Sequence, residues 1–455
     1  MHSPWYRRCA SSKLSTLCVA SWRWALGCAS LAWLCMPAAH AQVPIEEGFV
    51  TSHLPGWLEL YRELHASPEL SFREEKTAAK LAKRLSQGGW QVTSGIGKTG
   101  YVAVLKNGAG PTLMFRTDLD GLPVTEQSDL PYASKVRTND ARGVEVGVMH
   151  ACAHDIHMTC QIAAAEYLIA HKDDWRGTLV LYGQPAEEIG GGASAMIADG
   201  ALVRFPRPDY GVALHVDSEL PIGTIGFRAG NLMASVDSVD IVVQGKGGHG
   251  AFPHNAIDPV VQAAHLILDL QTLVSRENNP LDPAVITVGS IHAGTKHNII
   301  DSTCKLQLTV RSYSTEVRQR LLDGIVRKAK AAAQSAGAAE PTIEFSDYTP
   351  ATINDSALVQ RLVPVYRQVL GTERVVDVAP VMGGEDFSQF GLAGIPIAMF
   401  RVGTQSPDRI AAFAAEGKTL PSLHSPFFFP EPEGTVRTGA TTLIATSLDL
   451  LAPAN

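Results

Sequence analysis

Residues 150–192 read HACAHDIHMTCQIAAAEYLIAHKDDWRGTLVLYGQPAEEIGGG, and their pattern decides the fold class. Apolar residues at helical spacing run from Asp155 to His171. A short, nearly continuous apolar run follows at Thr178–Gly183, and a second helical segment begins after Gly192. The alternation continues outward in both directions. Tyr101–Lys106, Thr112–Thr117, Tyr210–Val216 and Ile395–Phe400 read as strands, while His53–His65 and Arg73–Gln87 carry helical spacing. Strands alternating with helices predict an α/β domain around a largely parallel sheet. Such sheets bind ligands beyond the carboxyl ends of their strands. Asp118, Glu187 and His215 all fall at or just after a predicted strand end, which points to one shared crevice.

Between residues 229 and 348 the pattern changes. Asp237–Gly245 alternates like a strand, Ala256–Val274 is helical, and Ala284–Ala293 and Thr303–Ser312 are strand-like. A helix over Thr315–Ala333 and a strand over Pro341–Ser346 complete a β-α-β-β-α-β order, the ferredoxin-like plan. This predicts an inserted domain at 229–348, with the catalytic domain formed by 42–228 and 349–455.

The start of the chain differs from the rest. Arg7, Arg8, Lys13 and Arg23 are its only charges before Glu46, Trp24–Met36 is apolar or small, and Ala39-His40-Ala41 has the form of a cleavage site. Residues 1–41 therefore read as a secretory signal peptide, and the apolar run is too short to span a bilayer. The expected mature protein is exported, periplasmic or secreted, with no membrane attachment once the leader is removed. It carries 34 basic and 45 acidic residues, a net charge of −11. That balance, without any basic stripe, argues against nucleic-acid binding. Of seven cysteines only Cys152, Cys160 and Cys304 lie beyond the leader, an odd number that excludes a complete disulfide framework.

The densest chemical signal is Met149-His-Ala-Cys-Ala-His-Asp-Ile-His157, just before a helix. Cys152 and His154 are two residues apart, so an extended backbone would point both the same way. Thiolate and imidazole are ligands for zinc-like ions, although alone the segment also fits an ordinary polar loop. A second signal is Gln184-Pro-Ala-Glu-Glu-Ile-Gly190, where a metal would hold one carboxylate and leave the other as a base. His215 and His424 say little singly. Together, Cys152, His154, Glu188, His215 and His424 supply about the number of ligands that two metals sharing one bridge require. Glu187 is left as the general base for a metal-activated water.

With these residues assembled, the chain resembles the M20 metallopeptidase family, in the branch of hippurate hydrolases, aminoacylase-like enzymes and auxin-conjugate hydrolases. The matching segments are Phe115–Pro123, His150–His157, Gln184–Gly190, Leu214–Met233, Gly247–His254 and Gly383–Phe387. The resemblance implies a di-metal site in which Cys152 bridges both ions. Glu188 and His424 then complete one site, and His154 and His215 the other, with Glu187 as base and Asp120 orienting a ligand from behind. It also implies an inserted dimerisation or lid domain, hence a homodimer. His249 falls where the family places a histidine on the substrate carbonyl, often from the partner subunit. Asn298 and Arg311 fall where relatives hold the substrate's carboxylate and backbone. The thiolate favours zinc, with manganese, cobalt or nickel as alternatives.

Ala153 stands where many relatives have glycine, Ile156 where they have a small residue, and Ile300-Asp301 where a proline is common. The implied activity is hydrolysis of the amide bond of N-acyl amino acids or related small amides. The nearest alternative is an exported metallo-carboxypeptidase or dipeptidase on the same fold. A binding protein that kept the scaffold would not need the base. A cysteine hydrolase would leave the paired glutamates, His215 and His424 unused.

Overall fold

The computed structural model describes residues 45–453; the expected leader at 1–41 lies outside them. Twelve strands build two sheets. In chain order they are β1 (Gln91–Ile96), β2 (Gly100–Asn107), β3 (Thr112–Asp118), β4 (Gly177–Gln184), β5 (Tyr210–Pro221), β6 (Ile225–Phe227), β7 (Ser235–Gln244), β8 (Ala284–His292), β9 (Thr303–Ser312), β10 (Thr342–Thr349), β11 (Val375–Asp377) and β12 (Ile397–Gln405). The helices that pack on them are α1 (Glu47–His65), α2 (Glu75–Gln87), α3 (His154–Ala170), α4 (Gly192–Ala198), α5 (Pro259–Thr272), α6 (Thr315–Ala336), α7 (Ser356–Leu370) and α8 (Pro432–Leu450).

The larger sheet has the order β1-β2-β4-β3-β5-β12-β6-β11. Its centre, β4-β3-β5-β12, is parallel, as the alternation of strands and helices predicts. The sheet as a whole is mixed rather than mostly parallel. β1 pairs antiparallel with β2 because a tight turn joins them with no room for a crossover helix, β2 also pairs antiparallel with β4, and β12 pairs antiparallel with β6. Both faces are covered. Leu113 and Phe115 of β3 pack with Trp57 of α1, Ile162 of α3 and Ile444 of α8, whereas Met114 between them packs with Met196 of α4 and Phe390. α3 is apolar on nearly all sides because the sheet, α1 and α8 enclose it.

The second sheet is antiparallel, in the order β8-β9-β7-β10. Val239, Ile241 and Val243 of β7 and Leu306, Leu308 and Val310 of β9 face Leu266 of α5 and Leu321 and Ile325 of α6. α5 begins at Pro259 rather than Ala256, because the Asp258 carboxylate accepts from the backbone N–H groups of Val260 and Val261 and so sets the N-cap. β12 begins at Ile397 rather than Ile395, because the Ile395 N–H is spent on the Phe390 carbonyl, and it runs on through Arg401 to Gln405.

Candidate active site

The side chains that could hold a metal converge beyond the ends of β3 and β4, but at the middle of β5: His215 is not at a strand end as expected, because β5 stays paired with β12 as far as Pro221. Cys152 and His154 lie at the start of α3, Glu187 and Glu188 in the loop between β4 and α4, His215 on β5, and His424 in the loop before α8. Ligand atoms of Cys152, His154 and His215 lie within 4.8 Å of one another, and so do those of Cys152, Glu188 and His424. Cys152 is the member common to both groups. Its Sγ is 3.6 Å from His215 Nε2. The Glu188 carboxylate spans the gap, with Oε1 3.7 Å from His154 Nε2 and Oε2 3.6 Å from His424 Nε2.

The backbone achieves this differently from the extended arrangement expected around Cys152. Ala153 has φ +54°, in the left-handed region, and His154 already opens the helix. That turn, not strand alternation, brings the thiol and imidazole together. Ala186 (φ +49°) and His424 (φ +67°) are likewise left-handed, so three of the loops carrying ligand-type side chains hold strained residues. At Gly192 a Cβ would lie 1.5 Å from the Pro185 carbonyl oxygen, so only glycine lets the acidic loop fold back onto α4.

Asp120 holds the loop from behind. Its carboxylate accepts from the backbone N–H of Glu187 (3.2 Å) and Glu188 (3.1 Å), and from the Ser71 hydroxyl (2.6 Å). The Asp120 carbonyl lies 2.8 Å from His154 Nδ1, which turns His154 Nε2 toward the centre. His157 is excluded from the centre. Its Nδ1 lies 2.7 Å from Asp118, its Nε2 accepts from the Val216 N–H, and burial pushes its pKa down to about 4.

Several charged groups under the site lie in segments singled out from the sequence but were given no role there as ligand, base or substrate contact. Arg116, fully buried, donates to Gln184 (2.8 Å), Asp118 (2.7 Å), Glu385 (2.7 Å) and Asp386 (3.1 Å). The signal for it was an arginine inside the apolar run of β3. The signal for Glu385 and Asp386 was an acidic pair after Gly383-Gly384. Carboxylate oxygens of Glu187, Glu385 and Asp386 lie within 4.8 Å of one another.

That crowding has electrostatic consequences. Burial, Glu385 and Glu188 raise Glu187 well above the usual carboxylate range. Burial pushes Glu188 up to about 8, and burial with the Glu188 charge raises the Cys152 thiol. His154 Nε2 and Glu188 Oε1 are buried without a hydrogen-bond partner. Two orphaned polar atoms 3.7 Å apart, flanked by a thiol and two further imidazoles, fit divalent metal ions. A cation there would offset the burial cost and favour the thiolate and carboxylate forms.

These residues open onto a cavity of about 930 Å³ that Cys152, Glu187, Glu188, His215, His424 and Arg311 all line. Arg311 Nη1 donates to the Met382 carbonyl at 2.7 Å, on the wall of the cleft. His249 and Asn298 do not line it. Both are exposed: His249 is on a two-stranded ladder that pairs Gly248 with Ile300 and His249 with Ile299, and Asn298 is in the turn before that ladder, where its carbonyl accepts from the Gly250 N–H.

An α/β sheet with a soft, multi-ligand centre beyond its parallel strands defines a metallohydrolase framework, and the sequence comparisons give the family. The profile of peptidase family M20/M25/M40 matches residues 114–423. The chain is 37% identical over 347 residues to N-acetyl-L-cysteine deacetylase of Bacillus subtilis, covering 75% of this chain and 79% of that protein. It is 34% identical over 361 residues to the IAA-amino acid hydrolase ILR1-like 2 of Arabidopsis thaliana, covering 79% of each. A crystal structure of a dinuclear metal binding peptidase of family M20 from Bacillus subtilis superposes with a TM-score of 0.69 at 30% identity, covering 87% of this chain and 98% of that one. The chain belongs to peptidase family M20/M25/M40. It is a metal-dependent amidohydrolase of that family.

Proposed function

We propose that the protein hydrolyses the amide bond of N-acyl amino acids, with two metal ions held by Cys152, His154, Glu188, His215 and His424. The observation that carries this reading is that Cys152 belongs both to the group with His154 and His215 and to the group with Glu188 and His424, while the Glu187 carboxylate lies beside them, 3.9 Å from His154 Nε2. Zinc is favoured by the thiolate, with manganese, cobalt or nickel as alternatives. A metal pair would supply Lewis acidity to a water and to the amide carbonyl. Glu187 takes the proton of the attacking water and delivers it to the leaving amine nitrogen. Burial and the neighbouring carboxylates raise Glu187, and a metal pair beside it would offset that rise and leave it ionised to accept the proton. Arg311, on the cleft wall, pairs with the carboxylate of the amino acid half.

His249 and Asn298 reach a cleft only in a second copy of the chain, where His249 donates to the amide oxygen. Two features support a homodimer through the 229–348 segment. β8 is an unpaired sheet edge, and α5 leaves Val260, Val261 and Leu268 exposed. Residues 1–41 would deliver the protein out of the cytoplasm, which the N-terminal residue of protein recovered from its native host would test.

The test of the whole reading is metal content of the purified protein, measured beside hydrolysis of N-acetyl, N-benzoyl and dipeptide substrates with and without chelator. About two metals per chain and chelator-sensitive release of free amino acid from the N-acyl substrates are expected. Chelator-resistant turnover would overturn it, as would cleavage of dipeptides alone.

A further inference from the structure

Beside the main cleft, past His215, lies a smaller cavity of about 200 Å³. It shares His215, Met233, Val381 and Leu423 with the cleft, so the two are continuous. Its walls are mostly apolar, with Met399 and Val216 completing them. Its polar lining comes from His215, Asp217, Ser218, Glu219 and Arg401, of which Arg401 carries the positive charge. Arg401 sits on β12, in a strand otherwise made of core residues, and its register partner on β5 is His215 itself. The guanidinium is thus carried, midway along β12, beside a proposed metal ligand.

Arg401 is poorly satisfied there. Its Nη1 reaches Asp217 Oδ2 at 3.4 Å, well beyond the usual length of a charge-assisted bond. Its Nη2 is buried with no hydrogen-bond partner. The side chain is 12% exposed and that of Asp217 is 14% exposed. A guanidinium that served only as a structural ion pair would close on its carboxylate in a bidentate fork; this one leaves a donor over. A buried, unused N–H next to an apolar cavity costs free energy until an acceptor fills it.

We infer that this cavity is a subsite for the acyl half of the substrate, and that Arg401 selects acyl chains whose far end carries a hydrogen-bond acceptor. This rests on the hydrolase reading above, in which Arg311 takes the amino acid carboxylate. With that end engaged, the acyl group is the half free to enter the cavity next to His215. The adjoining Asp217 offsets the charge of Arg401, so a neutral amide oxygen serves as well as a carboxylate. Arg401 is a specificity residue and takes no part in bond breaking.

The test uses the metal-loaded full chain and three isosteric acyl groups on one amino acid: 4-methylpentanoyl, succinamoyl and succinyl, with N-acetyl as a reference. The expected kcat/KM for the succinamoyl compound exceeds that for 4-methylpentanoyl by about tenfold or more, the scale of one hydrogen bond to a charged group. In Arg401→Met that ratio should fall to about one. Each ratio is taken within one variant, so a general loss of activity cancels. In Val381→Trp, which narrows the cavity, all three long acyl groups should lose ground to N-acetyl. Equal rates for the isosteres in the wild type would overturn the inference, as would a ratio that survives Arg401→Met. Hydrolysis of N-acetyl substrate alongside either result leaves the hydrolase reading intact. No hydrolysis of any compound removes both.

Discussion

At Glu187 the same carboxyl group meets two demands, accepting a proton from water and giving one to nitrogen. Its burial beside Glu385 and Glu188 raises its proton affinity, and the Asp120 carboxylate fixes its backbone. Glu187→Gln keeps the shape of the loop and removes only the proton transfer. It should therefore retain its metal and lose about a thousandfold in kcat. Metal analysis beside steady-state kinetics checks this, and a variant with near-normal turnover would remove Glu187 from the mechanism. Asp120 acts one step further back, because it touches Glu187, Glu188 and His154 through hydrogen bonds and faces no substrate. Asp120→Ala should weaken metal binding by about 10- to 100-fold, read from chelator competition.

At the scale of elements, the site depends on how strands and helices are tied beneath it. Arg116 joins β3 to the end of β4 and to the loop carrying Glu385 and Asp386, all without solvent contact. Arg116→Met would leave those carboxylates buried and unpaired. The expected cost is about 3–5 kcal/mol in urea denaturation, and a loss under 1 kcal/mol would show that Arg116 is not paired with ionised carboxylates. α1 and α3 are tied by His65, which lies 2.6 Å from Asp155 and 3.1 Å from Glu126. Burial opposes its charge, but the two carboxylates prevail and raise its pKa to about 10. A histidine raised in the folded state binds its proton more tightly there than when unfolded. Its contribution is thus fully present below about pH 6.5 and is lost as pH climbs through about 10. The stability gap between wild type and His65→Gln should accordingly shrink on the alkaline side, and a gap that is constant from pH 6 to 10 would count against the charged pair.

At the scale of the whole molecule, the prediction concerns where His249 acts. It is exposed on its own ladder and absent from the cleft lining of its own chain. If it completes the site of a second copy, Glu187→Gln and His249→Ala damage opposite halves of a composite centre. Mixing the two inactive variants would then rebuild one intact centre in each hybrid dimer. After subunit exchange, activity should return to about one quarter of wild type. No recovery in a mixture shown to exchange subunits would place His249 within its own chain or outside the reaction.

The sequence alone was enough for the periodic and local features. The strand–helix alternation gave the parallel centre of the large sheet, and alternating burial marked β7 and β9. The ligand-type residues were legible because His, Cys and paired Glu are unusual at strand ends and in tight loops, and because several short motifs recur in a fixed order. What the chain could not declare locally was set by tertiary contact. The left-handed Ala153 marks where the loop turns into α3. Arg116 is tolerable in an apolar strand only because acids from residues 118, 385 and 386 arrive from elsewhere in the chain. The distances between Cys152, Glu188 and His424 belong to the same class. Periodicity reports which face of an element is buried, whereas the separation of groups hundreds of residues apart is fixed only when the elements pack.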